Sequence, residues 1–127
     1  MKFLTRDIIS LYDTMNKISE REDAKNAPVD VKFLLVRNMR ALKPVWTDFM
    51  EARTELLIAN SVPIEENSEK RQATFEQVNY INSEIAELEK LEIEVAIAPI
   101  PLEKLESLNL SIQEMDILYP IIANEEA

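Results

Sequence analysis

The chain has 127 residues, 46% of them apolar and 30% charged, carries a formal net charge of −10, and contains no glycine, histidine or cysteine. That length suits one domain, 1–127, and the apolar content is too high for a disordered chain. The missing residue types exclude Ser-His-Asp and Cys-His catalysis, histidine and thiolate metal sites, disulfides, and the glycine-dependent phosphate loops, while the negative charge disfavours nucleic acid and anionic lipid.

Residues 3–19 read as a first helix. Ile8, Leu11, Tyr12, Met15 and Ile18 fall on one face at helical spacing, and Thr5 followed by Asp7 offers a cap. A packed core face is preferred there over a peptide-binding surface built on Tyr12 and Met15. Ser19 to Pro28 carries Glu20, Arg21, Glu22, Asp23 and Lys25 with almost no apolar content, and reads as a solvated connector.

Residues 30–60 read as a long second helix with Asp30 as its N-cap. Val31, Leu34, Leu35, Leu42, Val45, Trp46, Phe49 and Leu56 recur mainly at three, four and seven. Pro44 removes one backbone donor, so a kink near Met39 and Arg40, or two abutting helices, is expected. Trp46 reads either as core or as an anchor at a subunit interface.

A polar, acidic turn follows. Its carboxylates Glu65, Glu66 and Glu69 offer oxygen ligands, but the order and the glycine of an EF-hand loop are missing, so no metal is expected. Residues 68–91 read as a returning helix with Phe75, Val78, Ile81, Ile85 and Leu88 on its apolar face. Folded about a turn near Val62 to Glu66, the two long helices make an antiparallel hairpin. Its predicted register sets Arg37, Arg40 and Lys43 against Glu84, Glu87, Glu89 and Glu92, Leu42 near Ile85, and Leu35 near Leu91.

From Leu91 the periodicity changes to strict alternation, with Ile93, Val95 and Ile97 on one face of a strand that Pro99 and Pro101 end. Leu102 to Ser107 suggests a helical turn, and Leu108, Leu110 and Ile112 a second strand. Residues 92–122 therefore read as a small β-ribbon closed by a short helical or extended segment through Leu118, Tyr119, Pro120 and Ile121, with a frayed tail from Ala123. A two-stranded ribbon needs a further surface, and a free edge on Ile93 to Ala98 invites strand addition from a second subunit. The fold class is mainly α with a minor β component (α+β).

A short first helix, a polar connector, the run Lys32-Phe33-Leu34-Leu35-Val36-Arg37-Asn38 in a long helix, an acidic turn, a glutamate-rich return, an Ile-Glu-Val strand and a closing Leu-Tyr-Pro-Ile-Ile together resemble small accessory proteins of tailed bacteriophages. The resemblance is one of layout over most of the chain. It implies a virus-encoded, non-enzymatic protein in the host cytoplasm or the virion, and brings no functional residues with it.

The function expected is a structural, assembly or accessory role through protein–protein contacts, as a homo-oligomer or with one protein partner, without nucleic acid or membrane. No stretch reaches the roughly 18 apolar residues of a spanning helix, and Met1 to Ser10 lacks a signal-peptide core. The alternative is an acidic inhibitor of a host protein, a nucleic-acid mimic using Glu84, Glu87, Glu89, Glu92 and the turn acids. An enzyme would have to use carboxylates such as Asp13, Asp48 or Glu55 with Tyr80 or Tyr119. That chemistry needs a cleft to separate the carboxylate pKa values, and a hairpin offers none. No catalytic, cofactor-binding or metal residue is assigned.

Overall fold

In a computed structural model, which describes residues 1–66 and 70–123, the apolar face of the first helix is the centre of the core. Ile8, Leu11, Met15 and Ile18 of α1 (Thr5–Ser19) are almost wholly removed from solvent. They cluster with Val31, Leu35 and Leu42 of the long helix α3 (Val29–Ala59), which α1 reaches through the short helix α2 (Glu22–Lys25). Thr5 shares a cavity with Asp48 and Phe49, whereas Ser19 shares one with Leu35, so α1 and α3 run antiparallel. This pairing is the most extensive in the chain. Each such side chain contributes about 1.5–3 kcal/mol on burial, so stability is concentrated there.

The long helix runs unbroken through Pro44, and the two abutting helices allowed for by the sequence do not occur. Pro44 cannot donate to the Arg40 carbonyl. Leu42 before it and Val45 and Trp46 after it all pack on one core, which holds a single helix together across the missing bond. Helix α3 begins at Val29, not at 30, with Pro28 in the N-cap position. Asp30 instead accepts the Val31 N–H at 2.9 Å and forms an ion pair with Lys104.

Helix α1 starts at Thr5, not at 3, because Lys2–Leu4 form strand β1. Thr5 does not cap the helix: its hydroxyl donates to the Leu91 carbonyl at 2.9 Å, and its backbone N–H to the same oxygen at 2.8 Å. Strand β1 pairs antiparallel with β4 (Glu92–Glu94), placing Phe3 opposite Ile93. Over Glu92–Glu94 the partner of the Ile93 strand is therefore this chain's own N-terminal segment, where the sequence allowed for a second subunit.

Helix α4 covers Phe75–Glu89, shorter than the 68–91 expected, because Thr74 and Gln77 close a capping box there. Before it, β2 (Val62–Pro63) and β3 (Arg71–Gln72) pair antiparallel at the tip of the hairpin. Ser68 and Glu69 lie outside the described residues. Helix α4 returns along the distal half of α3 as an antiparallel partner, but in a shifted register. Leu88 and Leu91 line a cavity with Val45, Phe49 and Ala52, and Val78 and Ile81 line another with Leu57. Leu35 lies ten residues before Val45, about 15 Å along the helix, so the predicted contacts of Leu35 with Leu91 and of Leu42 with Ile85 do not form. The tip strands and the extended residues before Thr74 delay the start of α4, and that delay moves the register.

Residues 92–122 are not one ribbon. Strand β5 (Ile100–Pro101) pairs in parallel with β6 (Ile122–Ala123), and between them lie a 3-10 segment (Leu102–Ser107), helix α5 (Ile112–Leu118) and a 3-10 turn (Tyr119–Ile121). The alternation at Leu108, Leu110 and Ile112 is the approach to α5, which Ser111 caps together with Glu114. Leu105, Leu108, Leu118 and Ile121 then return to the core beside α1. Ala123 belongs to β6; residues 124–127 of the tail expected to fray lie outside the described residues.

Candidate interaction surface

The carboxylates and phenols considered for catalysis do not converge. Asp13 accepts a hydrogen bond from the Trp46 indole at 3.0 Å, and Asp48 lines the cavity at the base of α4. Glu55 lies nine residues beyond Trp46, about 14 Å along α3. Tyr80 on α4 and Tyr119 after α5 are exposed, and neither hydrogen-bonds to these acids among the described residues. No group of three or more acids among the described residues is arranged to hold a metal ion; Glu69 of the turn lies outside them.

The predicted charge zipper is also absent. Arg37, Arg40 and Lys43 are exposed and make no ion pair among the described residues, while Glu87 pairs at 3.7 Å with Lys90 of its own helix end. The register shift is the cause, since it sets the later, less basic part of α3 beside α4.

Two polar constructions that sequence reasoning missed hold the core half together. Asn38 is wholly buried, and its side-chain amide clasps the backbone of Ala98: Nδ2 donates to the carbonyl at 2.9 Å and Oδ1 accepts the N–H at 2.8 Å. The signal was its place among Val31, Leu35 and Leu42, a polar residue at core spacing. The second is the connector read as merely solvated. Arg21 donates to both oxygens of Glu114 at 2.9 and 2.8 Å, to Asp23 at 3.0 Å and to the Asn109 carbonyl at 2.8 Å.

Asp23 in turn accepts the Asn109 N–H at 2.7 Å. Its carboxyl is held down at about 2, first by the Arg21 guanidinium and then by that backbone donor. Glu114 is likewise lowered, first by the Ser111 N–H and then by Arg21. The sequence signal here was the Ser111-x-x-Glu114 capping box.

The other half of the molecule is built differently. Between Leu42 and Val95, Ile81 is the one buried residue among the described ones. The distal part of α3, the β2–β3 tip and α4 thus form an arm with almost no core of its own. Leu57, Ile58, Val62, Ile64, Val78 and Tyr80 are exposed on it, and Phe75 is 80% exposed. Single exposed apolar residues are ordinary on a protein surface; here they coincide with a segment that buries almost nothing. Open grooves of about 350 and 260 Å³ lie at the two ends of the seam between α3 and α4.

A second exposed set lies on the outward face of α3. Val29, Phe33 and Val36 fall at helical spacing opposite the buried face, and Phe33 is 63% exposed. Thr47, Glu51, Thr54 and Ile58 continue that line, and with Trp46 three of them border a shallow groove of about 340 Å³. No helix among the described residues is long and apolar enough to cross a membrane. No protein-family model, no curated protein and no solved structure matches the chain significantly.

Proposed function

We propose that the chain is a non-enzymatic accessory or assembly protein that works through protein–protein contacts as a homo-oligomer, encoded by a tailed bacteriophage and acting in the host cytoplasm or the virion. The observation that carries this reading is the arm, where seven large apolar side chains are exposed and, among the described residues, Ile81 alone is buried. Left bare in water, such a surface forgoes about 25 cal/mol for each Å² of apolar area that a partner would cover. The phage setting rests on resemblance in layout.

The acidic-inhibitor alternative has less support, because Glu84 and Glu89 are half-buried and Lys90 sits beside Glu87. A nucleic-acid mimic needs exposed like charges in rows. The test is the solution mass of the purified chain by light scattering over a concentration series, with identification of whatever co-purifies from expressing cells. A homo-oligomer without a host protein is expected; a monomer holding one host protein stoichiometrically would replace this reading with the inhibitor.

A further inference from the structure

The outward face of α3 is divided by charge. From Val31 to Thr47 the helix carries Lys32, Arg37, Arg40 and Lys43 and no acid; from Asp48 to Ala59 it carries Asp48, Glu51 and Glu55 and one cation, Arg53. At 100° per residue Arg53 lies on the other side of the helix from Glu51. A basic half in a chain of net charge −10, unpaired among the described residues, calls for an acidic counterpart.

The same helix supplies one. About Thr47 the outward positions are placed symmetrically at four, seven and eleven residues: Lys43 and Glu51, Arg40 and Thr54 beside Glu55, Val36 and Ile58. Two copies of α3 laid antiparallel on this face, with Thr47 against Thr47, would bring Lys43 to Glu51, Arg40 beside Glu55 and Val36 to Ile58 at both ends. We infer that this face is a two-fold interface in which α3 packs against α3 of a second copy of this chain.

The spacing from Phe33 to Ile58, in steps of three and four, is that of a helix–helix seam. The contact would be about 40 Å long and would bury on the order of 1,200 Å² in total, the lower end of specific interfaces. In an isologous contact each residue pair occurs twice, so one self-complementary helix serves both partners. Glu51 and Glu55, which border the groove, offer two carboxylates to a cationic side chain. Arg40 of the second copy falls at that position. The pairs are solvent-exposed, so association weakens as salt screens them.

This inference rests on the self-association proposed above, and the experiment separates the two. Because the chain has no cysteine, single introduced cysteines report proximity without background. Under mild oxidation Thr47→Cys should form a disulfide dimer with itself. Val36→Cys and Ile58→Cys should each remain largely uncrosslinked alone and form a mixed disulfide when combined. In light scattering, Lys43→Glu should weaken dimerisation by about tenfold or more, and adding Glu51→Lys to the same chain should restore most of it.

Helical circular dichroism verifies that each variant is folded. If the wild-type chain oligomerises but Thr47→Cys does not crosslink and Lys43→Glu leaves the mass unchanged, the α3 interface is overturned and self-association through the arm stands. A wild-type chain that is monomeric at every concentration, or that retains an acidic protein or nucleic acid through Arg37 and Arg40, overturns both.

Discussion

The side-chain amide of Asn38 forms a two-bond ring with the backbone of Ala98, donating at 2.9 Å and accepting at 2.8 Å from a wholly buried position on α3. Ala98 immediately precedes Pro99, which has no N–H to continue a ladder. The amide therefore does for this segment what a neighbouring strand would do elsewhere, fixing the chain between β4 and β5 against α3. Replacing Asn38 with Ala strands a buried donor and acceptor, each costing about 1–3 kcal/mol, so a loss of about 3 kcal/mol is expected in urea unfolding. Asn38→Asp should cost at least as much, since it removes the donor and introduces a charge.

The Arg21 cluster makes stability fall in acid. The Asp23 carboxyl is lowered from an ordinary value of 3.8 to about 2, and Glu114 is lowered with it. Groups depressed by folding contribute stability that is present above their unfolded values and lost as pH falls through the folded ones. The wild-type chain should therefore lose stability between about pH 4 and pH 2. Arg21→Met should be less stable at neutral pH and show a shallower fall across that window in thermal melts. Equal slopes for the two proteins would show that Arg21 does not set this dependence.

Stability should differ between the two halves of α3. Leu42→Ala removes a wholly buried side chain from the core and should cost about 3 kcal/mol. Ile58→Ala removes an exposed one from the arm and should change monomer stability by no more than about 0.5 kcal/mol. Thr74→Ala removes the cap of α4 and should cost about 1 kcal/mol, felt mainly as faster amide exchange in that helix.

Trp46, the single tryptophan, reports on the join between the halves. Its ring lies 5.0 Å from that of Tyr12 at 37°, and its indole donates to Asp13. Trp46→Ala should cost about 2 kcal/mol, less than for a fully buried ring. Asp13→Ala should cost under about 1 kcal/mol, because the bond is exposed, and yet shift the emission maximum. An unchanged spectrum in Asp13→Ala would contradict that hydrogen bond.

Helix periodicity makes α1, α3 and the general course of α4 legible in the sequence, because the buried faces repeat at helical spacing. Leu35 and Leu91 show what periodicity leaves open. An antiparallel register depends on the length of the turn, and the tip held strands β2 and β3, too short to leave a pattern. The charge match of Arg37, Arg40 and Lys43 with Glu84 and Glu87 was real in the sequence but does not form within one chain. Strand β1 was hidden because Phe3 and Leu4 fit a helix as well as a strand. Its partner Ile93 was correctly read as extended. Asn38 and Arg21 stayed unassigned because a polar side chain's worth depends on what distant residue meets it, here Ala98 and Glu114.

If the chain associates as proposed, covering the exposed apolar side chains of the arm should add to its protection, while the core half is already protected by its buried faces. Amide hydrogen exchange measured from low to high protein concentration tests this most directly. Helix α1 and the α3 residues from Val31 to Leu42 should be protected at every concentration, while the distal α3 and α4 gain protection as the mass rises. An arm as well protected as α1 in a solution where light scattering finds only monomer would contradict it.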